Sequence, residues 1–390
     1  MTETISYKRV FLILFFAIAV SMTGVGIVVP LLPVYADSLG ASGFMIGMIF
    51  GSFSLSRSFF LPYFGRKSDA VGRKPFITAG LFLYGVASIA FMFAKTVELL
   101  VIVRFLQGIA SAMIMPVTQA YVGEIAPKGR EGFTMGLFNL SMNISLSLGP
   151  ILGGVVKDRF GLRTAFGCMG LLAYSGFFMC LFLLPPKDKE PRAMRKHPEG
   201  YWGLLKHRFI SGPVVFRLLF TVCVGMSWAF LPVLAAREFH ISASRIGVLV
   251  MLSVLLTGLL QTPAGWLADR SDKRKMVAIG GLIIMISMVL FRFSEGFYGL
   301  LVANTVFGIG GGVATPPLMA ICVIEGNRNQ AMGQVMGLLT LGHSLGMLFG
   351  AIIGGVMMDL FHLRTAFDAG AVVVLAGTLF FMAATRNRKI

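Results

Sequence analysis

Twelve long apolar runs, punctuated by short charged segments, leave this chain almost one architecture. They cover 9–36, 43–65, 76–94, 98–122, 133–157, 164–184, 213–236, 244–268, 276–294, 297–324, 332–359 and 364–385. Runs of this length match a hydrocarbon layer about 30 Å thick. Lipid offers no partners to backbone amides, so each run is expected to be a helix. An all-α, polytopic membrane protein of twelve transmembrane helices follows. The first run is long and has no small-residue cleavage site, so it reads as a true span and not a signal peptide.

Composition agrees: 56% of the 390 residues are hydrophobic and 13% are charged. A soluble domain is usually about 25% charged. The net charge of +17 raises the possibility of nucleic acid, but its distribution argues for topology instead. Of 34 Lys and Arg, 24 fall in segments that are cytoplasmic if both termini are inside. Eight fall in the opposite loops (Lys95, Lys157, Arg159, Arg163, Arg237, Arg245, Arg292 and Arg364), and Arg57 and Arg104 lie within spans. That asymmetry predicts a membrane protein with both termini cytoplasmic and no nucleic-acid partner. Cys168, Cys180, Cys223 and Cys322 all fall within spans and read as small core residues, not as disulfides or a metal site.

One long polar connection, 185–212, divides the spans six and six. Three domains are expected: 1–184, a six-helix bundle; 185–212, a cytoplasmic linker with a short surface helix near Tyr201–Phe209; and 213–390, a second bundle. The halves repeat at an offset of 200 or 201. "GRKSDAVGRK" (65–74) aligns with "GWLADRSDKRK" (265–275), matching Gly65 to Gly265 and Asp69 to Asp269. "GGVVKDRFGLRTAF" (153–166) aligns with "GGVMMDLFHLRTAF" (354–367). Parallel six-helix repeats can rock against each other and expose a midplane site to either side.

Three segments carry further information. The first is the loop 65–74, with Gly65, Asp69, Gly72, Arg73 and Lys74. The second is "RFLQG" in span 4, with Arg104, Gln107 and Gly108; Arg104 lies about 9 Å from one end of its span. Its repeat counterpart is Asn304. The third is "GLFNLSMNISLSLGPILGG" (136–154) in span 5, with Gly136, Ser145, Gly149, Pro150, Gly153 and Gly154. Ser141, Ser145, Gly149 and Gly153 fall at i+4 steps, as do Gly342, Gly346, Gly350 and Gly354 in span 11. Small-residue stripes let helices approach closely and slide.

These segments resemble motifs of the major facilitator superfamily, and the likeness extends over essentially the whole chain. It is nearest to the twelve-span drug:proton antiporter family. The resemblance implies that the loop 65–74, with Asp269 as its repeat counterpart, acts as a conformational latch, Asp69 approaching the cytoplasmic start of span 11. It links Arg104 to proton transfer and the span 5 motif to antiport. Two departures stand out: Ala70 replaces a usual basic residue, and Ser145 replaces a usual glycine. Span 1 also lacks the acid many such antiporters carry; Ser21 stands in that region.

No G-x-x-x-x-G-K-[ST] loop, H-E-x-x-H or paired-cysteine motif occurs, so ATP hydrolysis and metalloenzyme chemistry are disfavoured. The chain reads as a transporter and not an enzyme, without cofactor or metal, working as a monomer on a small-molecule substrate with protons as the driving ion. None of the 17 carboxylates sits near a span midplane. His343, inside "LLTLGHSLGMLFG", is the side chain at mid-depth that titrates near neutrality. Two readings stay open for it: a neutral ring hydrogen-bonded to a neighbouring helix, or a proton or substrate carrier. Arg57 is the other oddity, either snorkelling or meeting a carboxylate, a carbonyl or an anionic cargo. Gln107, Gln119, Asn139, Asn143, Gln261 and Asn304 complete the candidate polar lining, with Met113, Met115, Trp228 and Phe230 as apolar members. The leading expectation is proton-coupled export of amphipathic small molecules. The alternative is a facilitator or symporter for an organic anion or sugar.

Overall fold

The computed structural model describes residues 7–127, 130–185, 201–329 and 331–386. Among them it forms thirteen helices and no strand. They are α1 (Tyr7–Ser38), α2 (Gly43–Val71), α3 (Arg73–Phe93), α4 (Val97–Ile125), α5 (Glu131–Phe160), α6 (Leu162–Leu183), α7 (Tyr201–Lys206), α8 (Arg208–Arg237), α9 (Ala243–Arg270), α10 (Lys273–Phe293), α11 (Gly296–Arg328), α12 (Met332–Leu360) and α13 (Thr365–Ala384). All but α7 are long and apolar enough to cross a membrane, so α1–α6 and α8–α13 are the twelve expected spans. The short surface helix expected in the linker is α7; linker residues 186–200 lie outside the described set.

Helix ends explain where the spans run past their apolar cores. α2 continues through the basic segment to Val71, and the chain reverses at Gly72, whose φ of 109° suits glycine. The expected loop is therefore mostly helix with a one-residue turn. Gly161, at φ 86°, does the same between α5 and α6. In the second half the corresponding turn uses a side chain: Asp272 caps α10, accepting from the amides of Arg274 (2.9 Å) and Lys275 (3.4 Å).

The chain forms two compact units. The described residues of the first fall within Met1–Leu32, Ser52–Ala193 and Ser242–Met251. Those of the second fall within Pro33–Gly51, Met194–Ile241 and Leu252–Ile390. The sequence repeat is also a repeat of contacts. A Cβ on Gly108 would lie 2.5 Å from the Phe53 carbonyl, and one on the equivalent Gly308 lies 2.8 Å from that of Ser253. Phe91 stacks on Phe166 at 5.2 Å between centroids in the first unit, as Phe291 does on Phe367 at 4.9 Å in the second. Lipid tails are as apolar as leucine, so such close backbone and ring packing, not burial from water, holds the helices together.

Candidate functional site

The buried polar cluster of the first unit is built on α4. Arg104 is 3% exposed and donates to Gln107 Oε1 at 2.7 Å, one turn along the same helix. Its guanidinium also lies 4.3 Å from the centroid of the Phe53 ring on α2, a desolvated cation–π contact. Tyr84 of α3 is fully buried beside Arg104 and Gln107. Sequence reading selected Arg104 and Gln107 and missed Tyr84, whose only signal was a hydroxyl in an otherwise apolar run. Arg57 of α2 is half-buried, and its Nη2 meets the Met115 thioether of α4 at 2.8 Å. The carboxylate or carbonyl considered for Arg57 is not what it meets: its one described hydrogen bond is to this weak sulfur acceptor.

In the second unit, Asn304 is 1% exposed and so occupies a buried position like that of Arg104. His343 is half-buried on α12, and Trp228 half-buried on α8. Asn143 is half-buried on α5, where its carbonyl accepts from Ser147 Oγ at 2.8 Å; Asn139 and Gln119 are exposed. Arg217, grouped above with the cytoplasmic charge, lies nine residues into α8, about 14 Å along its axis. Its guanidinium stands 5.8 Å from the Phe220 ring. In the apolar run 213–236 it stands four residues from the start, where the hydropathy pattern does not separate it from the cytoplasmic charge.

At the turn into α3, Arg73 pairs with Asp69 and with Glu124 Oε1 of α4 (2.9 Å), and also donates to Ser68 Oγ at 2.6 Å. Gly65 lies inside α2 with open space where a Cβ would be; Asp69, Asp269 and Lys74 belong to helix ends.

The glycine stripes have specific partners. In the first unit, a Cβ on Gly149 would lie 2.5 Å from the Thr23 carbonyl, and one on Gly153 3.1 Å from Ile27 Cα, both on α1. Ser141 Oγ, on the same stripe, donates to the Phe15 carbonyl at 3.0 Å. In the second unit the equivalent stripe packs on α8: Gly342 and Gly346 face the Val214 and Leu218 carbonyls, and Gly350 that of Val222. The next glycine in each pair turns elsewhere. About 100° separates neighbouring side-chain directions on a helix. Gly154 therefore meets α9, where a Cβ would sit 2.7 Å from the Ala243 carbonyl carbon, and Gly355 meets α2, 2.6 Å from that of Gly43. A Gly-Gly pair thus gives one helix two bare faces. Gly136 touches nothing within 4 Å of a would-be Cβ, and Ser145 is 9% exposed.

Two aspartates that sequence reading passed over sit just beyond these pairs. Asp158 accepts from the Ala243 amide at 3.3 Å, the Ser244 amide at 2.7 Å and Ser244 Oγ at 2.6 Å, at the start of α9. Asp359 accepts from the Gly43 amide at 2.6 Å and the Phe44 amide at 2.8 Å, at the start of α2. Their signal was present: they are the aligned Asp of "GGVVKDRFGLRTAF" and "GGVMMDLFHLRTAF".

A cavity of about 770 Å³ in the second unit lies at the ends of α8, α10 and α12, lined by Arg237, Glu238, Arg292, His362 and Arg364 among others. Ion pairs organise this region: Arg364 with Glu238 at 2.7 Å, and Arg292 with Asp368 at 2.9 Å. None of the candidate pathway residues lines it.

The Major Facilitator Superfamily profile matches residues 14–234 and 217–389. The chain belongs to the Major Facilitator Superfamily. It is 32% identical over 368 residues to an uncharacterised MFS-type transporter of Methanocaldococcus jannaschii, covering 93% of this chain and 95% of that one. It is 24% identical to the quinolone resistance protein NorA of Staphylococcus aureus, covering 98% and 97%. Its fold matches the crystal structure of a bacterial homologue of the human lysosomal transporter Spinster, with a TM-score of 0.84, 12% identity and 98% of each chain covered. It is therefore a transporter of twelve membrane spans and not an enzyme.

Proposed function

We propose that this transporter exports amphipathic small molecules across the cell's inner membrane in exchange for protons, by alternating access. The observation that carries the reading is the repeat-related pair of bare-backbone contacts, Gly154 on Ala243 and Gly355 on Gly43. Contacts without interlocking side chains can separate and reform at low cost, as an alternating mechanism requires. The direction and cargo class rest on the likeness to a relative named for quinolone resistance, on candidate pathway residues with few charges, and on a chain rich in Phe and Met. His343 is the proposed titrating group, Arg104 with Gln107 the proposed polar relay, and Asp69, Arg73 and Glu124 the proposed inner-face latch.

A second reading is favoured by one observation. Arg57, in the first unit, has a thioether as its described hydrogen-bond partner, an environment suited to an anionic cargo group. An organic-anion facilitator or symporter would use it.

The test is efflux of a panel of fluorescent amphiphiles from pump-deficient bacteria expressing wild type or His343→Ala, with and without a protonophore. Export predicts protonophore-sensitive efflux by the wild type. A coupling role for His343 predicts loss of at least tenfold in a normally expressed variant. Absence of efflux for every panel member, with uptake of organic anions that Arg57→Gln abolishes, would replace the export reading with the second.

A further inference from the structure

We infer that Asp158 and Asp359 are a matched pair of gate residues that hold shut the face of the protein away from its termini, each by capping a helix from the other sequence repeat. The charge asymmetry assigns that face to the outside. Asp158 ends α5 and caps α9 within the first unit. Asp359 ends α12 and caps α2 within the second. The two residues are equivalent under the 201-residue repeat, and their targets Gly43–Phe44 and Ala243–Ser244 under the 200-residue repeat.

The chemistry is that of a helix N-cap supplied from another helix. The first amides of a helix have no partner within it. A carboxylate there satisfies two donors and meets the positive end of the helix dipole. Each cap is backed by a reciprocal glycine contact one turn away. A Cβ on Gly247 would lie 2.8 Å from the Pro150 carbonyl carbon, and one on Gly47 2.9 Å from that of Ala351. Position 150 and position 351 are again repeat equivalents. Backbone therefore lies on backbone at both junctions, and the two aspartates are the polar ties across them. Both aspartates are exposed, so water can replace the bonds when a junction opens. Asp368, by contrast, pairs with Arg292 on a neighbouring helix and, among the described residues, ties no amide of another helix start.

The inference rests on alternating access for its physiological meaning, but its test reads the junctions and not the cargo. Cys168, Cys180, Cys223 and Cys322 are replaced by Ala, and a single reporter, Ile46→Cys or Ile246→Cys, is introduced. Ile46 is 0% and Ile246 1% exposed, one turn inside the capped helices. Labelling by a membrane-impermeant maleimide is measured on oriented vesicles. Asp359→Ala is expected to speed labelling about fivefold, and the double variant with Asp158→Ala about 25-fold, in keeping with the usual worth of a helix cap. The decisive feature is range: Asp359→Ala speeds labelling at Ile246→Cys, in the other unit, as well as at Ile46→Cys. Asp158→Asn and Asp359→Asn, which keep one acceptor, fall between, and serve alone if the Ala variants do not fold. Asp368→Ala leaves both rates within twofold of the parent. Unchanged rates in the cap variants, or an increase confined to the helix that lost its own cap, would overturn the gate. A wild type that exports nothing would overturn the export reading and leave this result standing.

Discussion

Gly350 shows how much one missing methyl group can decide. Its would-be Cβ lies 2.8 Å from the Val222 carbonyl carbon and 2.9 Å from Val222 Cα, both backbone of α8 that cannot step aside without moving the helix. Overfilling a packed interface costs about 1–3 kcal/mol. Gly350→Ala is therefore expected to lower the thermal unfolding temperature of the detergent-purified protein by several degrees. Gly136→Ala, in the same kind of motif but with open space around it, is expected to leave that temperature unchanged or slightly raised, since alanine favours the helix. Equal losses from both would show that helix propensity and not contact sets the glycine requirement. The spacing of the stripes was legible in the sequence. Which glycines touch backbone was not, because a one-dimensional pattern does not say which face a neighbouring helix covers.

Element boundaries follow from capping more than from hydropathy. Two equivalent turns are closed differently: Gly72 by a positive φ, Asp272 by a side chain bonded to two amides. Asp272→Ala is expected to cost about 1 kcal/mol. Asp272→Asn, an equally good cap, is expected to retain the wild-type unfolding temperature. If both behave alike, the cap contributes nothing measurable. At this scale the apolar runs predicted twelve spans, each found within a few residues. They did not reveal that α2 runs six residues beyond the apolar stretch that ends at 65, or that α8 begins five residues before 213, so that Arg217 stands nine residues inside it. Hydropathy reports where lipid begins. Backbone hydrogen bonding continues past it while amides have partners.

Across the molecule, the distribution of Lys and Arg makes a claim that a reporter can check. A fluorescent protein fused after Ile390 is expected to fluoresce in the cytoplasm, and alkaline phosphatase at the same place to be inactive. The opposite pattern would invert the topology and move the Asp158 and Asp359 junctions to the inner face. The units do not follow the sequence halves: Ser242–Met251 belongs to the first and Pro33–Gly51 to the second. Nothing in the hydropathy marks these segments, since they are the end turns of ordinary spans and the short connection beside them. Their place is set by the contacts of Gly154 and Gly355 and by the two caps.

The amino-acid sequence by itself determined the helical architecture, the repeat and the candidate residues Arg104, Gln107 and His343. Those depend on period, length and the cost of polarity in lipid, all of which are local. Tertiary structure decided which surface each glycine presents, that Arg57 meets a thioether, and that Asp158 and Asp359 cap helices 85 and 316 residues distant in the chain. A carboxylate carries no local sign of the amides it will meet, because those donors are brought to it only when the helices pack.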